Sequence, residues 1–399
     1  MMRKSLLSIL EIKCCKTLAL TRALLYTGHS WKCLAGSVWA YTGAPDRMIK
    51  MEEKMMAYKY IDLFCGAGGM SEGLIQAGFH ILFSSDINPD VQRTYMNRHE
   101  QLGLHQGVNT YFHRGDIREL TGNLINEKIG NLEIFRNRDV PEIDAVFGGP
   151  PCQGFSRAGR RDPNDPRNML FREYLRVINE VRPRYVVLEN VTGFMDTRFY
   201  GFEGVTGHRY PDGEIVPNIL INEFQLIGYH TLQPRILNAA HYGVPQRRNR
   251  VIVMAYRNDM VPPVYPEPTH DDDTALTITD AISDLIRNEN IRNQVHDTDT
   301  DFQIASREGR TPDVNGNTID SNGIVYNNEI SAHQQIIAER FALFREGEDG
   351  AGLKNRVMSE GIDISNYPAL INHCVNAMGL EQEPVSYTHL RAHETPEHL

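Results

Sequence analysis

The sequence contains little cysteine: six residues are scattered through a chain of 399. So few thiols in a chain of this length do not form the disulfide framework of a small secreted domain. No Cys-x-x-Cys pair occurs, and no cysteine and histidine stand at the spacing of a zinc site. The cysteines are therefore expected to be free thiols in a reducing cytoplasm, with no metal bound.

Long apolar runs are also missing. No stretch approaches the roughly 20 apolar residues that a membrane-spanning helix needs. The N-terminal segment resembles a signal peptide only superficially, because Glu11, Lys13 and Arg22 interrupt its apolar residues. With 41% hydrophobic and 23% charged residues the composition is typical of a globular protein, and no membrane partner is expected.

Positive charge is in deficit overall, since the formal net charge is −10. The deficit is local: residues 261–399 carry 24 acidic and 9 basic side chains, whereas residues 141–260 carry 13 acidic and 15 basic ones. All 15 of those basic side chains are arginines, which suit planar and bidentate contacts. The net charge therefore does not exclude DNA as a partner.

From Lys59 onward, apolar β-prone runs alternate with helix-like runs. This alternation predicts an α/β fold with a doubly wound, mostly parallel sheet. The strands are predicted over residues 58–64, 80–87, 111–117, 143–149, 184–191 and 248–256.

The composition changes after residue 260, where the stretch "VPPVYPEPTHDDD" is rich in proline and acid and the residues behind it lose their periodicity. The last stretch, "VSYTHLRAHETPEHL", shifts to a histidine-rich composition. We therefore expect four segments: an N-terminal extension over 1–55, an α/β core over 56–270, a smaller and incomplete region over 271–384, and an artefactual tail over 385–399.

The stretch "DLFCGAGG" puts Gly66, Gly68 and Gly69 between the first strand and a helix. Glycines there let a ligand approach the backbone, and the free N–H groups of the helix face that ligand. Asp86 ends the second strand 20 residues after Gly66, where nucleoside-binding sheets place a carboxylate for ribose hydroxyls. With Asp116 at the end of the third strand, an adenosine-type ligand is expected, although each aspartate taken alone could be a solvated strand-end acid.

Neither a Gly-x-Gly-x-x-Gly dinucleotide pattern nor a Gly-Lys-Ser/Thr phosphate loop follows that strand. A nicotinamide dehydrogenase and a nucleoside triphosphatase are disfavoured for this reason.

The stretch "AVFGGPPCQGFSRAGRR" ends a strand on two glycines, two prolines and Cys152. Since proline and glycine do not continue a strand, the thiol is expected on a stiff loop at the ligand-binding edge of the sheet. The glycines and prolines serve no evident packing purpose, although a lone cysteine can also be an incidental buried thiol. A thiolate at this edge would be a strong nucleophile in need of an electrophile and a proton donor.

Glu189 ends the buried-looking strand "YVVLENV". Burial there raises a carboxyl pKa and keeps the group protonated, as a general acid requires. Arg248 and Arg250 in "QRRNR" alternate at strand spacing and are expected to project to one face. The alternatives are a surface glutamate that caps the next turn and two solvated arginines at a sheet edge.

Taken in order, "DLFCGAGGMSEGL", "GGPPCQGFS", "ENV" and "QRRNR" resemble the core motifs of the DNA (cytosine-5) methyltransferases, over roughly residues 58–260. The resemblance implies a Rossmann-like S-adenosylmethionine-dependent methyltransferase fold, with 56–270 as the catalytic domain and 271–384 as the start of a target-recognition region. It also implies S-adenosylmethionine as the methyl donor, no metal, and double-stranded DNA as the partner. A monomer is expected, with a cognate restriction endonuclease as a functional partner.

The same resemblance assigns the site residues. Cys152 would be the nucleophile, Glu189 would protonate the ring at nitrogen-3, and Arg248 and Arg250 would support the flipped base and the cysteine loop. The remaining residues would line the S-adenosylmethionine pocket (Phe64, Gly66, Gly68, Ile87, Ile117), hold the ribose (Asp86) or the adenine amino group (Asp116), or order the cysteine loop (Pro151).

The chemistry of such a reaction explains these residue types. Carbon-5 of cytosine is a poor nucleophile until a thiolate adds to carbon-6 and a proton is placed on nitrogen-3. Neither ring atom is accessible inside a duplex, so the base must be flipped out. A rigid loop around Cys152 would present the thiol to one face of the extruded ring.

One family element has no convincing counterpart here. The family completes its cofactor pocket with a late Gly-Asn motif, whereas "INHCVNAMG" contains no Gly-Asn pair. The chain is therefore expected to be truncated at its C-terminus, with weak cofactor binding. Two alternatives stay open: a tRNA cytosine-5 methyltransferase with the same catalytic motifs, and an inactive remnant that binds cofactor or DNA.

Overall fold

The chain divides into two compact units, Met1–Ile324 and Val325–Leu399. The predicted domain boundaries at residues 55, 270 and 384 stay predictions. The computed structural model describes residues 58–136, 138–151, 169–286, 299–319, 333–345 and 347–378.

Parallel strands form the centre of the first unit. The described strands are β1 Lys59–Leu63, β2 His80–Asp86, β3 Tyr111–Arg114, β4 Ala145–Gly148, β5 Tyr185–Asn190, β6 Arg198–Phe199, β7 Glu214–Ile215, β8 Tyr229–Thr231, β9 Arg235–Asn238 and β10 Asn249–Arg257. Eight of them form one sheet in the order β3-β2-β1-β4-β5-β10-β8, with β9 also paired to β10. The pairs among β1 to β5 are parallel, and β10 is antiparallel to its neighbours. The predicted mostly parallel α/β sheet is confirmed.

Capping side chains fix where the helices between these strands begin. The Asn88 side chain accepts hydrogen bonds from the backbone N–H groups of Asp90 and Val91, and Thr121 accepts one from that of Leu124. The described helices of this unit are α1 Gly69–Gln76, α2 Pro89–Gln101, α3 Gly122–Gly130, α4 Leu170–Val181, α5 Val216–Leu226, α6 Ile278–Ile282 and α7 Asp301–Glu308.

Side chains alternate between the two faces of the sheet, as the period of a strand requires. In β1, Ile61 and Leu63 belong to the apolar cluster that includes α3, α4 and α5. Tyr60 belongs to the cluster on the other face, with Leu74 of α1 and Tyr95 of α2. Helices therefore cover both faces, which is the doubly wound arrangement, and the carboxyl ends of β1 to β5 share one edge.

Residues 311–314 pack against the first two helices of the core. The Gln76 amide donates to Thr311 Oγ1 at 2.6 Å, and the Val314 N–H donates to the Leu102 carbonyl at 2.8 Å. These residues lie beyond the predicted boundary at 270 and within the first compact unit.

The second unit contains the helices α8 Gln335–Ala342, α9 Gly350–Glu360 and α10 Pro368–Met378. Leu343, Ile364, Leu370 and Ile371 form its small apolar cluster. The Glu339 carboxylate accepts the Leu370 N–H at 2.8 Å, which satisfies a free donor in the first turn of α10. Over all the described ranges, the helices lack the combined length and apolarity that crossing a membrane requires.

Candidate cofactor and catalytic site

The turn between β1 and α1 has an unusual backbone. Gly66 and Gly68 have φ angles of +53° and +91°, and Phe64 has a φ of +58° although it carries a side chain. A non-glycine residue in this left-handed region is strained, and such strain clusters at functional sites. A Cβ on Gly66 would meet nothing within 4 Å, whereas one on Gly68 would lie 3.0 Å from the Tyr95 ring. The turn thus packs on one side and leaves open space on the other.

Asp86 is tied to this glycine turn. Its Oδ2 accepts the Gly66 N–H at 3.1 Å, and its Oδ1 accepts the Asn88 N–H at 2.9 Å. The two backbone bonds hold the carboxylate at the carboxyl end of β2, and its remaining lone pairs can accept further hydrogen bonds. Next to it, the apolar side chain of Ile87 is 63% exposed.

Asp116 lies at the same edge, because the Gly115 N–H donates to the Asp86 carbonyl at 3.2 Å. The Asp116 carboxylate accepts the Arg118 N–H at 2.9 Å and pairs with the Arg118 guanidinium at 3.0 Å. The backbone bond from Arg118, helped by its side chain, holds the pKa of Asp116 below its usual value. The neighbouring Ile117 is buried in the apolar cluster.

The loop that leads to Cys152 begins beside Glu189. The Asn190 amide donates to the Pro150 carbonyl at 3.2 Å, and a Cβ on Gly149 would lie 3.3 Å from Glu189 Oε2. The carboxyl end of β5 therefore holds the first residues of this loop, of which the half-buried Pro151 is the last described. Cys152 itself lies outside the described residues.

The glycines of this loop do have packing roles, so the expectation that they lack one was wrong. A Cβ on Gly148 would lie 2.5 Å from the Tyr174 ring and 3.0 Å from the Leu63 carbonyl, so only glycine fits between β1 and α4. Gly149 leaves room for the Glu189 carboxylate.

Glu189 and Arg250 form an ion pair, with Arg250 Nε 2.6 Å from Glu189 Oε1. In the antiparallel pairing of β5 and β10, Glu189 stands opposite Ile252, so Arg250 is its diagonal neighbour. The Glu189 side chain is only 23% exposed and the Arg250 side chain only 16%. Burial raises the pKa of Glu189, and the opposing charges of Arg250 and Arg248 do not reverse that direction. The pKa shift is the one that a general acid needs.

Arg247, the residue before Arg248, lies in solvent. One guanidinium nitrogen lies 3.6 Å from Asp272 Oδ1, and His241 Nε2 lies 3.4 Å from the same oxygen. The Arg247 side chain is 74% exposed, so this ion pair is weak and open to competition from other anions.

Sequence reasoning missed a buried polar network under the glycine turn. Asp62 accepts a hydrogen bond from Ser71 Oγ at 2.5 Å, Ser71 Oγ lies 2.7 Å from Tyr95 Oη, and Tyr95 Oη lies 2.8 Å from Ser84 Oγ. One signal was available in "YKYIDLF", where an acid interrupts an apolar strand.

Within the described ranges, no group of three or more histidine, cysteine, aspartate and glutamate side chains could hold a metal ion. The expectation that no metal is bound stays a prediction.

Residues 58–362 match the family model of the C-5 cytosine-specific DNA methylases. The type II methyltransferase M.XorII of Xanthomonas oryzae is 37% identical over 226 residues, which are 56% of this chain and 46% of the relative. M1.HphI of Haemophilus parahaemolyticus is 29% identical over 316 residues, 78% of this chain and 68% of the relative. M.AquIA of a Picosynechococcus species is 36% identical over 224 residues, 54% of this chain and 78% of the relative.

The chain spans about half the length of M.XorII and a larger share of the other two relatives. The family match covers more than half of the chain and contains the glycine turn, the loop that leads to Cys152, Glu189, Arg248 and Arg250. The chain belongs to the C-5 cytosine-specific DNA methylase family.

Proposed function

We propose that this protein transfers a methyl group from S-adenosylmethionine to carbon-5 of a cytosine flipped out of double-stranded DNA. One observation carries the proposal: the Glu189–Arg250 pair and the start of the Cys152 loop share a sheet edge with the glycine turn and Asp86. Family membership supports the same chemistry. A monomeric state, a cytoplasmic location and a cognate restriction endonuclease are further proposals.

The residues at the glycine turn fit S-adenosylmethionine. The open space over Gly66 admits a ligand close to the backbone, and Asp86 is positioned to accept hydrogen bonds from ribose hydroxyls. The exposed Ile87 offers an apolar surface for an adenine ring, and Asp116 offers an acceptor for its amino group. Bound here, S-adenosylmethionine supplies an electrophilic methyl group on a positively charged sulfur.

The proposed reaction begins with Cys152 and Glu189. The Cys152 thiolate forms a bond to carbon-6 while the Glu189 carboxyl gives its proton to nitrogen-3, so the ring becomes a neutral enamine. Carbon-5 then forms a bond to the methyl group as the bond from that methyl group to the donor sulfur breaks; both electrons of the broken bond stay on sulfur, and an uncharged thioether leaves. A base removes the carbon-5 proton, the bond from sulfur to carbon-6 breaks, and nitrogen-3 returns its proton to Glu189. Cys152 and Glu189 are thus regenerated.

Arg250 determines which oxygen of Glu189 carries that proton. Oε1 accepts from the guanidinium at 2.6 Å, so we assign the proton to Oε2, which lies beside Gly149 on the side of the cysteine loop. Arg248 adds a second positive charge that acts on this carboxyl. The arginines keep the pKa of Glu189 from rising further, so the group can both give up and regain a proton.

The proposal is tested by incubating the purified protein with radiolabelled S-adenosylmethionine and either duplex DNA or tRNA. We expect label at carbon-5 of cytosine in the DNA and none in the tRNA. Label in tRNA alone would favour a tRNA methyltransferase. Cofactor binding without transfer to either nucleic acid would favour an inactive remnant.

Replacing Asp86 with alanine should weaken S-adenosylmethionine binding by about 10- to 100-fold, because hydrogen bonds to a charged acceptor are lost. Titration calorimetry measures this change. Glu127→Ala is a suitable control, since this glutamate is exposed on α3 and paired with Lys128. Equal affinity of the wild-type and Asp86→Ala proteins would show that the cofactor assignment is wrong.

Replacing Arg247 with alanine should weaken binding of duplex DNA and lower the slope of log K against log salt by about 1, as expected for one lost phosphate contact. Fluorescence anisotropy over a salt series measures both quantities. Arg136→Ala is a matched control, because its side chain is 73% exposed and paired with Glu133, in the segment between α3 and β4. A slope that falls equally in both variants would contradict a phosphate contact at Arg247.

A further inference from the structure

Asp62 is a fully buried acid immediately before the glycine turn. It is 1% exposed and lies in β1, two residues ahead of Phe64. Its Oδ2 accepts a hydrogen bond from Ser71 Oγ in the first turn of α1 at 2.5 Å. This bond joins the end of the strand to the start of the helix and closes the glycine turn into a loop.

A line of hydroxyl groups continues from this bond through the core. It runs from Ser71 Oγ to Tyr95 Oη on α2 at 2.7 Å and on to Ser84 Oγ on β2 at 2.8 Å. Each hydroxyl can donate in either direction along the line. A protonated Asp62 can therefore donate into the line, and an ionised Asp62 can accept from it. The network accommodates both states of the carboxyl, and the hydrogen bond from Ser71 Oγ favours the ionised one.

Among the described residues, the charge that acts most on Asp62 is the negative charge of Asp86 on β2. Asp62 acts in turn on four groups that carry no positive charge: Cys65 in the turn, Tyr60 on β1, Tyr95 on α2 and Tyr174 on α4.

Two basic side chains of α2 lie close to this region without neutralising the acid. Arg98 is paired with Glu72 of α1, and burial lowers the pKa of His99 to about 3, so that ring is neutral. Burial, and then Asp86, raise the pKa of Asp62 to about 7, while the bond from Ser71 acts in the opposite direction. A new positive charge above the turn would therefore favour ionisation of Asp62.

We propose that Asp62 is a specificity-determining residue through which the cofactor turn distinguishes a positively charged methyl donor from its neutral product. This inference rests on the proposed function. When the methyl group leaves, the bond from sulfur to carbon breaks and both electrons stay on sulfur, so the product is an uncharged thioether. Asp62 then loses its counter-charge and takes up a proton from solvent.

The expected size of the effect follows from Coulomb's law. A unit charge at about 10 Å, in a medium of effective dielectric constant about 20, changes affinity roughly tenfold. Affinity for the donor should therefore rise about tenfold as pH rises through the range in which Asp62 ionises. Affinity for the neutral product should change little over the same range.

The test compares S-adenosylmethionine with S-adenosylhomocysteine by calorimetry between pH 5.5 and 8, in the wild-type protein and in Asp62→Asn. The amino group of the donor also titrates, so the measured quantity is the difference between the two proteins. Between pH 5.5 and 8, the ratio of donor affinity to product affinity should rise about tenfold more in the wild type than in Asp62→Asn. At pH 7, donor binding should release more protons from the wild type than from Asp62→Asn, by a fraction of a proton, measured with buffers of different ionisation enthalpy.

A second variant guards against misfolding of Asp62→Asn. Ser71→Ala removes the hydrogen bond that favours the ionised carboxyl, so it should move the pH midpoint of the donor preference upward. The inference would be overturned if the wild-type preference for the donor did not change with pH, or if Asp62→Asn showed the same pH dependence. An unchanged midpoint in Ser71→Ala would also overturn it. If the wild-type protein binds neither ligand, the proposed function fails instead.

Discussion

Cys152→Ser should abolish a covalent adduct that the wild-type protein forms with DNA containing 5-fluorocytosine. After methyl transfer, carbon-5 carries fluorine in place of the hydrogen that a base would remove. Elimination therefore cannot break the bond between Cys152 sulfur and carbon-6. The adduct should survive denaturation and should form only with S-adenosylmethionine present. A serine hydroxyl is far less ionised than a thiol near neutral pH, so no adduct is expected in the variant. Denaturing electrophoresis of labelled DNA measures the adduct.

The two described cysteines supply the control for this experiment. Burial, with Asp62 and Asp86 nearby, raises the pKa of Cys65 well above the usual value, and burial also raises that of Cys374. Neither thiol is therefore suited to form a thiolate near neutral pH. Cys374→Ser should leave the adduct intact. An adduct that survives Cys152→Ser, or that is lost with Cys374→Ser alone, would contradict the assignment of the nucleophile.

The parallel strands could be predicted from the sequence because each is a short apolar run that ends in residues which stop a strand. The first was predicted over 58–64 and spans Lys59–Leu63. The third was predicted over 111–117 and ends at Arg114. It is shorter because the Asp116 carbonyl accepts the Glu119 N–H, so the chain turns there.

The meeting of Gly66 and Asp86 could also be predicted. Adjacent parallel strands joined by a helix bring their carboxyl ends to one edge, so a spacing of 20 residues places both at the same point. The hydrogen bond of 3.1 Å between them follows from that connection.

Long-range packing could not be predicted in this way. Thr311 bonds to Gln76, 235 residues earlier, and nothing periodic near residue 311 indicates that partner. The role of Gly148 depends on the Tyr174 ring from another helix, so the local sequence gave no sign of it. Asp62 stood out only as an acid in an apolar strand, since its partners Ser71 and Tyr95 come from separate helices. Hydrophobic periodicity reports local structure, and these contacts are not local.

A second large effect is expected when Glu189 is replaced with glutamine, and Glu142→Gln is the control for that experiment. Glu142 Oε1 lies 2.6 Å from Arg257, at the other end of the strand that carries Arg250. The replacement therefore removes a carboxylate from an arginine pair of the same length without touching the proposed site. Its methyl-transfer rate should match that of the wild type.

Glu189→Gln should lower the single-turnover rate of methyl transfer by about 10²- to 10⁴-fold, the usual loss when a general acid is removed. The amide keeps the shape of the side chain and can still accept from Arg250, but it has no acidic proton for nitrogen-3. Because burial raises the pKa of Glu189, the wild-type rate should fall as pH rises through that pKa, and this limb of the profile should be absent in the variant. Rapid quenching with labelled S-adenosylmethionine measures the rate, and calorimetry should show unchanged cofactor affinity. A rate equal to that of Glu142→Gln would remove Glu189 from the mechanism.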